Sequence, residues 1–239
     1  MKVFIDTPEK VAQRAALHYV SLLRQKPDAT LGLATGSTPI GLYNELTRLY
    51  EAGFISFAKV HTFNLDEYIG LPGTHDQSYR YFMDKHLFDR VDIQKANTQV
   101  PSGLGDSDKV AAEYEKLIQL SGGIDLQLLG IGHDGHIGFN EPGTPFGSPT
   151  HAVDLEEMSI QANARFFQSV DEVPRRAVTM GVRTVMNARS IILIALGEDK
   201  ADIVNQTING PVCEAVPASV LQLHPFVEVY LDKDAASKL

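Results

Sequence analysis

Residues 124–143 read IDLQLLGIGHDGHIGFNEPG. The first six have the length and leucine-isoleucine content of a buried strand. The next fourteen, residues 130–143, hold five glycines, two histidines, an aspartate and a glutamate. A strand that runs straight into such a loop belongs to a sheet whose carboxyl edge carries chemistry. The neighbouring segments repeat the pattern. Strands are expected at residues 2–5, 29–34, 60–65, 191–196 and 226–231. Helices are expected at 39–52, 77–88, 108–120 and 199–208. A further helix is expected from Thr7, as cap, and Pro8 to about Arg24. Its inner side is read as Val11, Ala15, Leu17, His18, Leu22 and Leu23. Strands that alternate with helices imply an α/β fold, a mostly parallel sheet with helices on both faces. Right-handed crossovers put all strand carboxyl ends on one edge, where ligands bind.

Composition narrows the function. The chain has 239 residues, 44% of them apolar, and a formal charge of −9. That surface repels nucleic acid and anionic membranes, so an anionic substrate needs a locally built site. No apolar run reaches the length of a membrane helix. The segment 1–6, MKVFID, turns polar too soon for a signal peptide. The lone cysteine, Cys213, excludes an internal disulfide framework and fits a reducing cytoplasm. No repeat or linker divides residues 1–239, which read as one domain. Periodicity weakens over residues 144–182, where prolines and glycines cluster first, and this segment is expected to be an insertion able to form a lid.

Four loops lie at the expected ligand edge. The first, ATGSTP, contains Gly36, Ser37 and Thr38 between a strand and a helix. Unpaired amides and hydroxyls at a helix start suit phosphate. The glycine and lysine order of a Walker loop is absent. The second holds Asp66 and Glu67 at a strand end. One carboxylate there can face the cleft while its neighbour turns away, and burial would tune the first for proton abstraction. The third is the glycine loop. Gly130, Gly132 and Gly135 match a dinucleotide fingerprint, but that fingerprint must open a helix. Gly138, Pro142, Gly143, Pro145, Gly147 and Pro149 forbid one here. Two alternatives stay open. His133, His136, Asp134 and Glu141 could ligate a metal. Otherwise His136, flanked by Asp134 and Glu141, forms a proton-transfer relay. No serine or cysteine nucleophile motif accompanies it. The fourth loop carries Lys200, placed to meet a phosphate. Arg165, in NARFF, is a second such cation, whereas Arg175 and Arg176 read as surface charges.

The segments LGLATGSTPIGLY, FNLDEYIGLP, GIGHDGHIGFNEPG, NARFF and LGEDKADIV closely resemble, in order and spacing, the glucosamine-6-phosphate deaminase family. The likeness covers nearly the whole chain. It implies a Rossmann-like α/β enzyme that uses no metal, nucleotide or other cofactor. Such an enzyme converts glucosamine 6-phosphate and water to fructose 6-phosphate and ammonia, in amino-sugar breakdown in the cytoplasm. By resemblance, Asp66 would take the proton from C2 of the opened sugar and return it at C1. His136 would open the ring, oriented by Asp134 and Glu141. Gly36, Ser37, Thr38, Arg165 and Lys200 would hold the phosphate. Longer family members are allosteric hexamers, while this short chain resembles the compact, monomeric group. A related sugar-phosphate hydrolase, such as 6-phosphogluconolactonase, is the alternative activity.

Overall fold

A computed structural model of the chain describes residues 1–155, 160, 167 and 169–239, apart from the side chain of residue 171. Ten strands are described, in chain order β1 (Lys2–Asp6), β2 (Thr30–Leu33), β3 (His61–Asn64), β4 (Asp66–Tyr68), β5 (Thr98–Gln99), β6 (Leu126–Leu129), β7 (His151–Asp154), β8 (Arg176–Thr179), β9 (Ser190–Ala195) and β10 (Val227–Asp232). The α-helices among the described residues, in chain order, include α1 (Pro8–Gln25), α2 (Ile40–Glu51), α3 (Tyr79–His86), α4 (Ser107–Leu120), α5 (Val182–Met186) and α6 (Ala201–Asn209).

Seven strands form one sheet in the order β1-β10-β9-β6-β2-β3-β5, and every pairing in it is parallel. The central strands β2 and β6 are buried throughout, which is why they show no alternation of apolar and exposed residues. From β2 the chain steps outward to β3 and β5. It then returns to β6 and proceeds the other way, to β9 and β10. With right-handed crossovers, α1 and α2 cover one face and α4 and α6 the other. The packing of α1 on α2 agrees. The reversal leaves a crevice at the carboxyl ends of β2 and β6, and the two loops singled out there are residues 34–38 and 130–143.

Local sequence accounts for the starts of α1 and α3. Pro8 starts α1, as expected, but Thr7 offers no side-chain cap. Its own N–H instead donates to the Asp6 carboxylate at 3.0 Å. The buried side of α1 is Val11, Ala15, Ala16, Tyr19, Val20 and Leu23. Leu17, expected inside, is 60% exposed, because that side is centred on Ala15, Ala16 and Tyr19. The helix expected from residue 77 begins two residues later, after Ser78, whose hydroxyl accepts the Tyr81 N–H.

The larger difference is a second sheet. β4, β8 and β7 form a three-stranded antiparallel sheet with a small core that includes Tyr68, Phe139, Leu155 and Ala177. Sequence periodicity did not signal β7 or β8 within residues 144–182. Four-residue strands with mixed exposure carry little alternation to read. Arg176 lies on β8 and pairs at the surface with Asp154 at 3.1 Å, so its reading as a surface charge agrees with the structure.

Candidate active site

The four loops meet. A cavity of about 240 Å³ is walled by Thr35, Gly36, Ser37 and Thr38 after β2, by Asp66, by Gly130, Gly132, His133, His136 and Gly138 after β6, and by Lys200. Asp134 and Glu141 stand behind His136. Arg165 lies outside the described residues. Residues 130–143 form turns, with one bridge between Ile137 and Asn140, so the helix a dinucleotide site requires is absent there.

Asp66 sits at the crossing between the two sheets. β3 ends at Asn64, and two residues later the chain enters β4. Asp66 pairs with Thr179 of β8 and is 6% exposed. The wall beside it is aromatic. Tyr79 and Phe139 both line the cavity and their rings stack 6.2 Å apart, with the Tyr68 ring 4.8 Å from that of Tyr79. Burial among these groups, and then the charge of Glu67, push the Asp66 carboxyl up to about 8, with His136 opposing. Glu67 turns the other way, as the adjacent pair suggested. Its carboxylate accepts the N–H groups of Tyr68, Tyr79 and Arg80, each at 2.9 Å, and so fixes the start of α3.

The histidine is held from behind. Nδ1 of His136 lies 2.8 Å from Oδ1 of Asp134 and 3.2 Å from Oε2 of Glu141. Burial disfavours the charged ring, but the two carboxylates outweigh it and raise the pKa to about 9. Asp134 is driven the other way: His136 lowers it well below the ordinary range, against the effect of burial. Nε2 is the ring nitrogen these carboxylates do not engage. The ring lies flat against Gly132, where an added Cβ would fall 2.2 Å from the imidazole Cε1. Asp134, His136 and Glu141 offer donor atoms within 4.8 Å of one another, so this set has the geometry to take a cation as well as to tune a base.

The loop is clamped beside Asp66. Asn140 donates through Nδ2 to the carbonyls of Ile137 and Met180, at 2.7 and 2.8 Å. The Phe139 N–H donates to the Thr179 hydroxyl at 3.1 Å. Gly138 has φ of 59°, and a Cβ there would meet Thr179 Oγ1 at 2.9 Å and Asp66 Oδ2 at 3.4 Å. Glycine is what allows the histidine loop to pass this close to the carboxylate. Tyr79, Phe139, Asn140 and Thr179 escaped the sequence reading. Asn140 and Phe139 lay inside the quoted loop, but only packing against β8 assigns them a task.

A carboxylate of raised pKa, a histidine backed by two carboxylates and a loop of amides and hydroxyls thus face one space. The sequence profile described as glucosamine-6-phosphate isomerases/6-phosphogluconolactonase matches residues 6–229. A glucosamine-6-phosphate deaminase of Halothermothrix orenii is 51% identical over 241 residues, covering 100% of both chains. The chain belongs to the glucosamine-6-phosphate deaminase family. A second deaminase of this family, from Clostridium perfringens, is 49% identical over 97% of this chain and 96% of its own. Among solved structures, a monomeric glucosamine-6-phosphate deaminase superposes with a TM-score of 0.98 at 44% identity, with full coverage of both chains. A 6-phosphogluconolactonase from Trypanosoma brucei reaches 0.78 at 20% identity, a likeness of fold alone. The α/β sheet of this chain is therefore the deaminase fold.

Proposed function

We propose that the chain converts glucosamine 6-phosphate and water to fructose 6-phosphate and ammonia, by acid–base catalysis at this cavity. The convergence of Asp66, His136 and the residue 35–38 loop carries the reading. His136, as acid and base in turn, gives a proton to the ring oxygen and takes one from the anomeric hydroxyl, which opens the pyranose. Asp66, ionised, takes the proton from C2 of the open chain, the electron pair forms the C1–C2 double bond of the enolamine, and O1 takes back the proton held on His136. The same group returns a proton to C1, leaving the imine at C2. Water adds at C2 and ammonia departs. Asp134 and Glu141 position and tune His136 rather than touch the sugar.

Gly36, Ser37, Thr38 and Lys200 take the phosphate, with Arg165 joining them. Binding there fixes the reacting carbons at a distance from the anchor. The steps are proton transfers, the addition of water and the loss of ammonia, none of which demands a redox cofactor, so we read the Asp134, His136 and Glu141 cluster as a relay and the enzyme as independent of metal. We also read residues 1–239 as one domain, residues 144–182 as its lid, the protein as a monomer, and the cytoplasm as its location. The free cysteine Cys213 agrees with a reducing compartment.

The test is to mix the protein, in a chelator, with glucosamine 6-phosphate and follow ammonia and fructose 6-phosphate, with 6-phosphogluconolactone assayed beside it. Stoichiometric ammonia and ketose that survive the chelator support the reading. Turnover of the lactone alone would overturn it. Light scattering on the same sample should report one chain of 26.2 kDa.

A further inference from the structure

The residue 35–38 loop stands between two open spaces. Ser37 and Thr38 line the cavity on one side and, on the other, a groove of about 480 Å³ between the starts of α1 and α2. A Cβ added to Gly36 would meet no described atom within 4 Å. Packing does little to fix the middle of the loop, so its shape is set at its two ends. At the helix end the bonds are local: the Ile40 N–H donates to the Ser37 carbonyl at 3.3 Å, and the Tyr43 N–H to that of Pro39 at 2.9 Å. At the strand end a side chain takes over. The pairing of β2 with β3 stops at Leu33, and the next residue, Ala34, is itself on the cavity wall. The hydroxyl of Tyr43 donates to the Ala34 carbonyl at 2.5 Å and accepts the Ala34 N–H at 3.3 Å. Tyr43 belongs to the first turn of α2, where side chains lean back toward the helix start, and it is wholly buried. One phenol thus ties the strand that enters the loop to the helix that leaves it.

We propose that Tyr43 is a positioning residue for phosphate binding: its hydroxyl, bonded to both backbone polar groups of Ala34, holds the residue 35–38 loop in the shape that takes the anion. This rests on the reading of the cavity as a sugar-phosphate site. Tyr43 acts through the loop and is not part of the cavity wall. A loop already in place binds more tightly than one that must order itself around the ligand. Without the hydroxyl, the buried N–H and carbonyl of Ala34 lose this partner, and the loop shifts to satisfy them.

The experiment compares wild type, Tyr43→Phe and Thr47→Val. The last is the control for a loss of helix stability alone: Thr47 is also buried, and its hydroxyl donates to the Tyr43 carbonyl at 2.9 Å, one turn along α2, rather than to the loop. Two quantities are measured: the affinity for inorganic phosphate by calorimetry, and KM and kcat with glucosamine 6-phosphate. Tyr43→Phe should weaken inorganic phosphate and raise KM by about three- to tenfold, with kcat within about twofold. Thr47→Val should keep phosphate affinity and KM within about twofold of wild type, whatever it costs in melting temperature. Unchanged phosphate affinity in Tyr43→Phe would overturn the proposal, as would an equal loss in Thr47→Val. If wild type releases no ammonia while Tyr43→Phe still loses phosphate affinity, the role of Tyr43 stands and the functional reading falls.

Discussion

Asp66 is a carboxylate held where its charge is disfavoured. Burial and the neighbouring Glu67 raise it to about 8, and the carboxylates behind His136 raise that ring to about 9. The proposed mechanism needs Asp66 ionised and His136 protonated. The profile of kcat/KM against pH should therefore climb through about 8 and fall again above about 9, the two limbs belonging to the coupled pair rather than to either residue. A flat profile across that range would contradict the assignment. The same shift acts on stability. Because the folded-state pKa of Asp66 is raised, its favourable contribution is complete below the ordinary carboxylate range, about 4, and is lost as pH climbs through about 8. Replacing it by asparagine removes that loss. Asp66→Asn should melt higher than wild type at pH 9 and show a smaller difference at pH 5, by about 2–4 °C for each kcal/mol regained. Thermal scans at the two values check it. Lower melting at pH 9 would mean that the carboxylate has a stabilising partner when ionised.

At the scale of elements, two joints hold the site. The first is the turn before His136, where Gly132 lies against the imidazole. Gly132→Ala must move the ring or the backbone, since its Cβ would fall inside contact distance of three imidazole atoms. Turnover should drop about tenfold or more while the fold survives, read by kinetics beside circular dichroism. The second is Glu67, which accepts the N–H of Tyr68 in β4 and those of Tyr79 and Arg80 at the start of α3. Glu67→Gln keeps the shape but removes charge. A loss of about 1–3 kcal/mol in denaturant unfolding is expected. The acid limb of the pH profile should also move lower, because Glu67 is one cause of the high Asp66 value. Much of this was legible. The long parallel strands announce themselves as apolar runs, and glycines mark the turns after β2 and β6. The antiparallel strands did not, since β4, β7 and β8 are three or four residues long and gain their register only from one another. Thr179 was missed for that reason: it comes to lie opposite Asp66 only through the pairing of β8 with β4.

For the whole molecule, the decisive feature is the reversal of strand order between β2 and β6. It opens one crevice and brings to it the residue 35–38 loop from one side and the histidine loop from the other. The second sheet then lays Asp66 against that crevice, under the arch made by Gly138. Residues more than a hundred positions apart in sequence, Ser37 and Lys200 among them, share its wall. The proton shuttle between C2 and C1 that we propose depends on this convergence and on Asp66 as the group that carries it. The most direct test is the rate of ammonia release from glucosamine 6-phosphate by Asp66→Asn, at saturating substrate, set against wild type. A fall of about two to four orders of magnitude, with phosphate binding intact, is the predicted result. Turnover within about tenfold of wild type would contradict it, because a general base contributes more than that.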